Sequence, residues 1–88
     1  MFTVYVLQSE SDGGLYIGLT SDPTRRLEQH NRGHERSTRT RRPFRLIYSE
    51  EHESRLRARE REKYLKSGAG REFLKTVPGW RNRQTQRT

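Results

Sequence analysis

The chain has no cysteine, which excludes disulfide staples, thiolate nucleophiles and cysteine-based zinc sites. It is also poor in the residues that build cores. Leu, Ile, Val and Phe number 16 among 88, under the roughly 20% at which high net charge begins to suggest disorder. The longest apolar run, near Met1, is interrupted by Thr3 and Gln8 and has no basic flank. Neither a signal peptide nor a membrane span is therefore expected. Acidic residues are the remaining deficit: 11 Asp plus Glu stand against 19 Lys plus Arg, a formal charge of +8. The length allows one domain. A chain of this size buries only about 60 to 70% of its unfolded surface, so its few apolar residues must be well placed. These features predict a soluble, cytoplasmic protein with no membrane contact, whose basic surface meets a polyanion, phosphodiester backbones being the common cellular choice.

The apolar residues that are present follow regular periods. Phe2, Val4 and Val6 alternate with Thr3, Tyr5 and Leu7, and Leu15, Ile17 and Leu19 alternate with Tyr16, Gly18 and Thr20. Both are strand patterns. The turn residues from Ser9 to Gly14 between them predict an antiparallel hairpin. Pairing Val4 with Ile17 and Val6 with Leu15 builds an apolar face and sets Tyr5 opposite Tyr16. A slide of two residues keeps both tyrosines on one face, whereas a slip of one separates them.

Asp22 followed by Pro23 is a helix start, and the helix is expected from Pro23 to about Arg32, ended near Gly33. Arg26 and His30 stand four apart on one face of it, with Leu27 as the apolar anchor. From Arg32 to Arg45 six arginines face one acid, Glu35, which makes a basic loop. Phe44, Leu46 and Tyr48 alternate with Arg45 and Ile47 as a third strand. A helix from about Glu53 to Ser67, stopped by Gly68, follows, then a short helix from Arg71 to Thr76 that packs Phe73 and Leu74. Pro78 and Gly79 break the chain. The folded unit is thus expected over residues 1–76, with 77–88 as a basic, flexible tail.

At Val4-Tyr5-Val6 and Tyr16-Ile17-Gly18 the sequence resembles the GIY-YIG nuclease superfamily, which includes homing endonucleases and the incision nuclease of bacterial excision repair. The likeness continues from Tyr16 through Thr20-Ser21-Asp22-Pro23 to Gly33, and again over Glu62-Lys63-Tyr64-Leu65-Lys66-Ser67-Gly68. The matched blocks, in order, span about residues 2 to 75 and resemble the small single-domain branch. The resemblance implies an α+β fold, a three-stranded antiparallel sheet flanked by helices, and hydrolysis of a phosphodiester bond with one divalent ion, Mg2+ or Mn2+. It also implies that Tyr5 and Tyr16 are the two family tyrosines, Arg26 the helix arginine, Glu62 the metal ligand, and His30 a histidine frequent in this branch. Val4 stands where the first tripeptide has glycine.

The residues themselves are chemically suited to that reaction. A water attacking phosphorus needs a base, the equatorial oxygens need positive charge, and the leaving oxygen needs a metal or an acid. Either Tyr16 or Tyr5 is a candidate base, although a phenol of ordinary pKa near 10 is a poor one at neutral pH unless cations or a metal stabilise its phenolate. Tyr16 is favoured, with Tyr5 orienting the water or phosphate. The planar fork of Arg26 suits a transition-state phosphate better than lysine. Magnesium keeps several waters and is often held by one or two carboxylates. Glu62 is preferred over Glu60 because Ala58, Glu62 and Leu65 share one helix stripe, and residues two apart point about 200° apart.

Each residue also has a plainer role. The tyrosines suit cross-strand packing, Arg26 and Glu62 a structural ion pair, and His30 a bond to a backbone carbonyl. Gly18 reads as structural, opening room for a close approach of backbone or substrate. The leading reading is a metal-dependent endonuclease acting on DNA in repair or recombination, with RNA as the other polyanion. Arg25, Arg36, Arg39, Arg41, Arg42, Arg45 and Lys66 are expected to contact phosphates. One active site cuts one strand, so double-strand cleavage requires a homodimer, a second encounter or a partner protein. The alternative is a noncatalytic nucleic-acid-binding module on the same fold, and a basic protein-interaction domain ranks third.

Overall fold

The computed structural model describes residues 1–82. Along the chain lie β1 (Phe2–Ser9), β2 (Leu15–Thr20), α1 (Pro23–Asn31), β3 (Phe44–His52), α2 (Arg55–Lys66) and α3 (Gly68–Leu74), with a short 3-10 turn at Arg39–Arg41. The sheet is antiparallel throughout, in the order β2-β1-β3. β1 is central and β2 is left with one free edge. The α+β architecture and three-stranded sheet agree with the sequence expectation.

The hairpin turn closes by hydrogen bonds from Ser9 N to Gly14 O and from Gly13 N to Ser9 O, both 2.9 Å. Gly13 adopts a φ of 77° there, in the left-handed region where only glycine is unstrained. The strands pair two residues away from the expected register: Tyr5 lies opposite Gly18, Val6 opposite Ile17 and Leu7 opposite Tyr16. Because the displacement is even, Tyr5 and Tyr16 still share a face.

Val4, Val6, Ile17 and Ile47 pack on one side of the sheet against Ala58, Leu65, Leu74 and Val77. Tyr5, Leu7 and Phe44 form a second cluster on the other side with Tyr16 and Leu27. Helices α2 and α3 therefore cover one face and α1 the other. In β3 the simple alternation fails. A bulge opposite Val6 and Leu7 leaves Ile47 unpaired and turns Tyr48 to the α2 side, away from Phe44. Leu46 is left exposed.

Asp22 caps α1, its Oδ1 accepting from Arg25 N at 3.1 Å, and the helix ends at Gly33 with a φ of 82°. Asn31 fastens that end to β3: it donates to Phe44 O at 3.1 Å and accepts from Phe44 N at 2.6 Å. On the opposite face Glu50 binds α2 to β3, accepting from Arg61 Nε at 2.6 Å and from the Tyr48 hydroxyl at 2.5 Å, with His52 Nε2 at 3.1 Å. Burial raises the Glu50 pKa, but these donors outweigh it and hold the carboxyl below its ordinary value.

Two expected boundaries move. α2 ends at Lys66, and Ser67 caps a new helix rather than Gly68 closing the old one, so the third helix begins three residues earlier than expected. Nor does packing stop at residue 76. Val77 is buried, Trp80 rests on the core, and the side-chain amide of Gln8 donates to Arg81 O at 2.8 Å and accepts from Arg81 N at 2.9 Å. A buried glutamine amide needs both partners, and this pair draws residues 77–81 back onto β1. The rest of the expected tail, residues 83–88, lies outside the described residues.

Candidate active site

A cleft of about 640 Å³ follows the free edge of β2. Tyr5, Tyr16, Gly18 and Arg26 reach it from the α1 side of the sheet, and Arg55, Arg59, Glu62, Lys66 and Arg71 from the α2 side. Tyr5, Tyr16, Arg26 and Glu62, separated by up to 57 positions in sequence, thus border one opening.

Gly18 is what lets Tyr5 lie there. A Cβ at residue 18 would stand 2.6 Å from the Tyr5 hydroxyl and 2.7 Å from Cζ. The room expected for substrate or backbone is filled by the Tyr5 ring, which crosses β2 toward its edge. Tyr16 lies beside it, ring centroids 6.2 Å apart.

His30 does not line the cleft. It is fully buried behind the tyrosines, its ring 4.7 Å from that of Tyr16 and 5.8 Å from that of Phe44. Its Nδ1 is 2.8 Å from Thr38 Oγ1 and its Nε2 3.3 Å from the Tyr5 hydroxyl. Thr38 in turn donates to Glu35 O at 3.5 Å. With that hydroxyl proton committed, the consistent assignment has His30 Nδ1 donating to Thr38 and Nε2 accepting from Tyr5. Burial, and secondarily the charge of Arg26, push the His30 pKa down against a smaller opposing effect of Glu35. Burial pushes Tyr5 up, against donation from Arg26, so Tyr5 is a neutral proton donor at pH 7.

This has a consequence for stability. The folded ring stays neutral where an unfolded histidine, with its pKa near 6.5, takes a proton. The unfolded state then binds more protons, so stability falls as pH drops below about 6.5, until the folded ring also titrates. Urea midpoints at pH 7.5 and 5.5 are expected to differ in the wild type and to differ less in His30→Asn. An equal fall in both would assign the dependence to other groups.

Arg26 is held at both ends of its fork, Nη1 donating to Gln29 Oε1 at 2.8 Å and Nη2 to Glu35 Oε2 at 3.3 Å. Glu62 is buried, with its carboxylate at the cleft. Lys66 Nζ lies 3.0 Å from Oε2 and Arg59 Nη1 3.5 Å from Oε1, yet Oε1 has no hydrogen-bond partner. Glu60 is exposed. Among the described residues no group of three or more His, Cys, Asp or Glu could cage an ion. What is present is one buried carboxylate with an oxygen that no hydrogen bond satisfies, which fits an ion that takes most of its ligands from water and phosphate.

Three of the five cations at the cleft, Arg55, Arg59 and Arg71, are not among those the sequence suggested. Of the expected phosphate contacts only Lys66 lines it. Arg25 is exposed on α1 and Arg36 on the loop, neither lining the cleft. Arg41 pairs with Asp12 at 3.0 Å and Arg45 with Glu10 at 3.6 Å. Arg39 Nε donates to Gly33 O at 3.1 Å and Arg42 Nε to Arg39 O at 2.9 Å. The loop spends much of its charge on its own shape. Sequence reasoning missed Arg55, Arg59 and Arg71 in the cleft, and Thr38 and Glu35 behind it. The spacing of residues 55, 59, 62 and 66 was a usable signal for the first two. Arg71 and Thr38 carried none.

Fold and site together define a small nuclease-type domain. The family model described as the GIY-YIG catalytic domain matches residues 1–73, and the chain belongs to that family. It is similar to the UPF0213 protein of Staphylococcus aureus strain COL, 37% identical over 75 residues that cover 84% of this chain and 90% of the relative. It is also similar to the solution NMR structure of the UPF0213 protein BH0048 from Bacillus halodurans, with 35% identity and a TM-score of 0.54, over 90% of this chain and 87% of that one. No helix among the described residues is long and apolar enough to cross a membrane.

Proposed function

We propose that this protein is a metal-dependent endonuclease that hydrolyses phosphodiester bonds in DNA, in repair or recombination. The observation that supports it best is the Glu62 carboxylate, buried with one oxygen that no hydrogen bond satisfies, in the same cleft as Tyr5, Tyr16 and Arg26. A buried carboxylate oxygen without a hydrogen bond is costly, and a ligand is the ready explanation. Magnesium or manganese bound there would supply positive charge to the phosphoryl and leaving oxygens.

The chain's own residues do the rest. Arg26 presents a pre-set fork of donors to the phosphate. Tyr5, neutral and with its one proton given to His30 Nε2, offers its hydroxyl oxygen to the cleft as an acceptor and helps orient the attacking water. Tyr16, the phenol more open to the cleft, orients the attacking water and, acting as the phenolate, takes its proton and becomes the neutral phenol. His30 and Thr38 act through Tyr5 and are positioning residues.

One observation favours the rival noncatalytic binder: Lys66 and Arg59 already pair with Glu62. Their side chains are 56% and 51% exposed for Arg59 and Lys66, however, so both can swing into solvent and leave the carboxylate to a divalent ion. The test is incubation with supercoiled plasmid and magnesium. Nicked circles are expected, at a rate at least about tenfold lower for Glu62→Ala and Tyr16→Phe. Wild-type nicking in either variant would remove that residue from the catalyst. Salt-dependent binding without cleavage under any divalent ion would establish the binding module instead.

A further inference from the structure

On α2, Arg55, Arg59, Glu62 and Lys66 follow at intervals of four, three and four, the spacing of one helix face, and all four line the cleft. Arg71 joins them from α3 and Arg26 from α1, so five cations surround one carboxylate. Among the described residues Glu62 forms ion pairs with Lys66 and Arg59. Arg55 and Arg71 make no ion pair among the described residues, and both are exposed. Among the described residues no carboxylate claims their charge, unlike that of Arg41 and Arg45 of the loop, which pair with Asp12 and Glu10.

The eleven helical steps from Arg55 to Lys66 extend about 16 Å, and one strand of duplex DNA advances about 3.4 Å per phosphate along the axis. The stripe is therefore long enough for several successive phosphates, which points to a polymer as ligand and not to a single nucleotide. Resting on the nuclease reading above, we propose that Arg55, Arg59, Lys66 and Arg71 form a phosphate track for the DNA backbone flanking the scissile bond. The strand then runs along α2 and past the free edge of β2, not over the 36–45 loop. Contacts of this kind hold register and carry no base preference.

The experiment measures binding of a fluorescein-labelled 20-base-pair DNA by anisotropy across a NaCl series, with EDTA present to prevent cleavage. Arg55→Ala/Arg71→Ala is compared with Arg36→Ala/Arg42→Ala, which removes the same charge from the loop. Both pairs are exposed, and unchanged thermal melts verify folding. The track variant is expected to lose about 2 from the slope of log K against log salt, and the loop variant to keep the wild-type slope. A wild-type slope in the track variant, or an equal loss in the loop variant, overturns the track while leaving the nuclease reading intact. Wild-type protein that shows no salt-dependent DNA binding, or prefers a duplex RNA of the same sequence, overturns the DNA reading itself.

Discussion

Arg26→Lys is expected to slow DNA nicking by about 100- to 1,000-fold, with little change in folding. The guanidinium is fixed before substrate arrives, with one arm on Gln29 and the other on Glu35. The neighbouring Tyr5 hydroxyl is the largest cause of its raised pKa, with burial working against it and Glu35 adding to it. The side chain is only 27% exposed, so its fork enters the cleft already aimed and partly desolvated. A lysine keeps the charge but offers a compact ammonium that cannot hold two planar partners and a phosphate together. Single-turnover cleavage of a saturating oligonucleotide duplex measures the chemical step. A rate within about threefold of wild type would mean that charge alone is required at this position, since a pre-set donor is worth far more than that.

Gly70→Ala is expected to destabilise the protein by about 3 kcal/mol, enough to lower Tm by some 12 to 24 °C in a domain of this size. The reason is steric. A Cβ at residue 70 would stand 2.1 Å from Tyr64 O and 2.4 Å from Leu65 Cα. These are backbone atoms of α2 that cannot rotate away, so α3 would have to lift from the helix it packs against. Leu74 and Val77, both buried in the core, would be disturbed with it. Gly68 provides the control, because nothing lies within 4 Å of a Cβ placed there. Gly68→Ala is expected to be neutral or to stabilise by up to about 1 kcal/mol through the unfolded chain. Thermal melts of the two variants decide the matter, and equal Tm values would show that α3 adapts freely.

Periodicity made the hairpin and α1 legible. Asp22 and Pro23 marked the helix start because capping is a property of a few adjacent residues. The stripe of Ala58, Glu62 and Leu65 placed Glu62 inward for a similarly local reason, and all three are buried. Register was less legible, since a two-residue slide leaves the apolar alternation intact. The bulge at Ile47 carried no signal, because it depends on what β3 meets across β1 and under Gly79, where a Cβ would stand 3.0 Å from Ile47. Charge was the most misleading guide. A run of arginines in sequence looked like a binding surface, while the structure ties several of them to nearby carboxylates and carbonyls and lines the cleft with others.

The amino-acid sequence by itself determined the elements, the sharing of one strand face by Tyr5 and Tyr16, and the inward turn of Glu62, since each depends on spacing within a single strand, hairpin or helix. Only the tertiary structure decided which cations meet that glutamate, that His30 stands behind Tyr5 and not in the cleft, and that residues 77–81 return to β1. Those outcomes rest on contacts such as Gln8 with Arg81, 73 positions apart. Contacts at that separation are selected by the packing of the whole chain, and no local period records them.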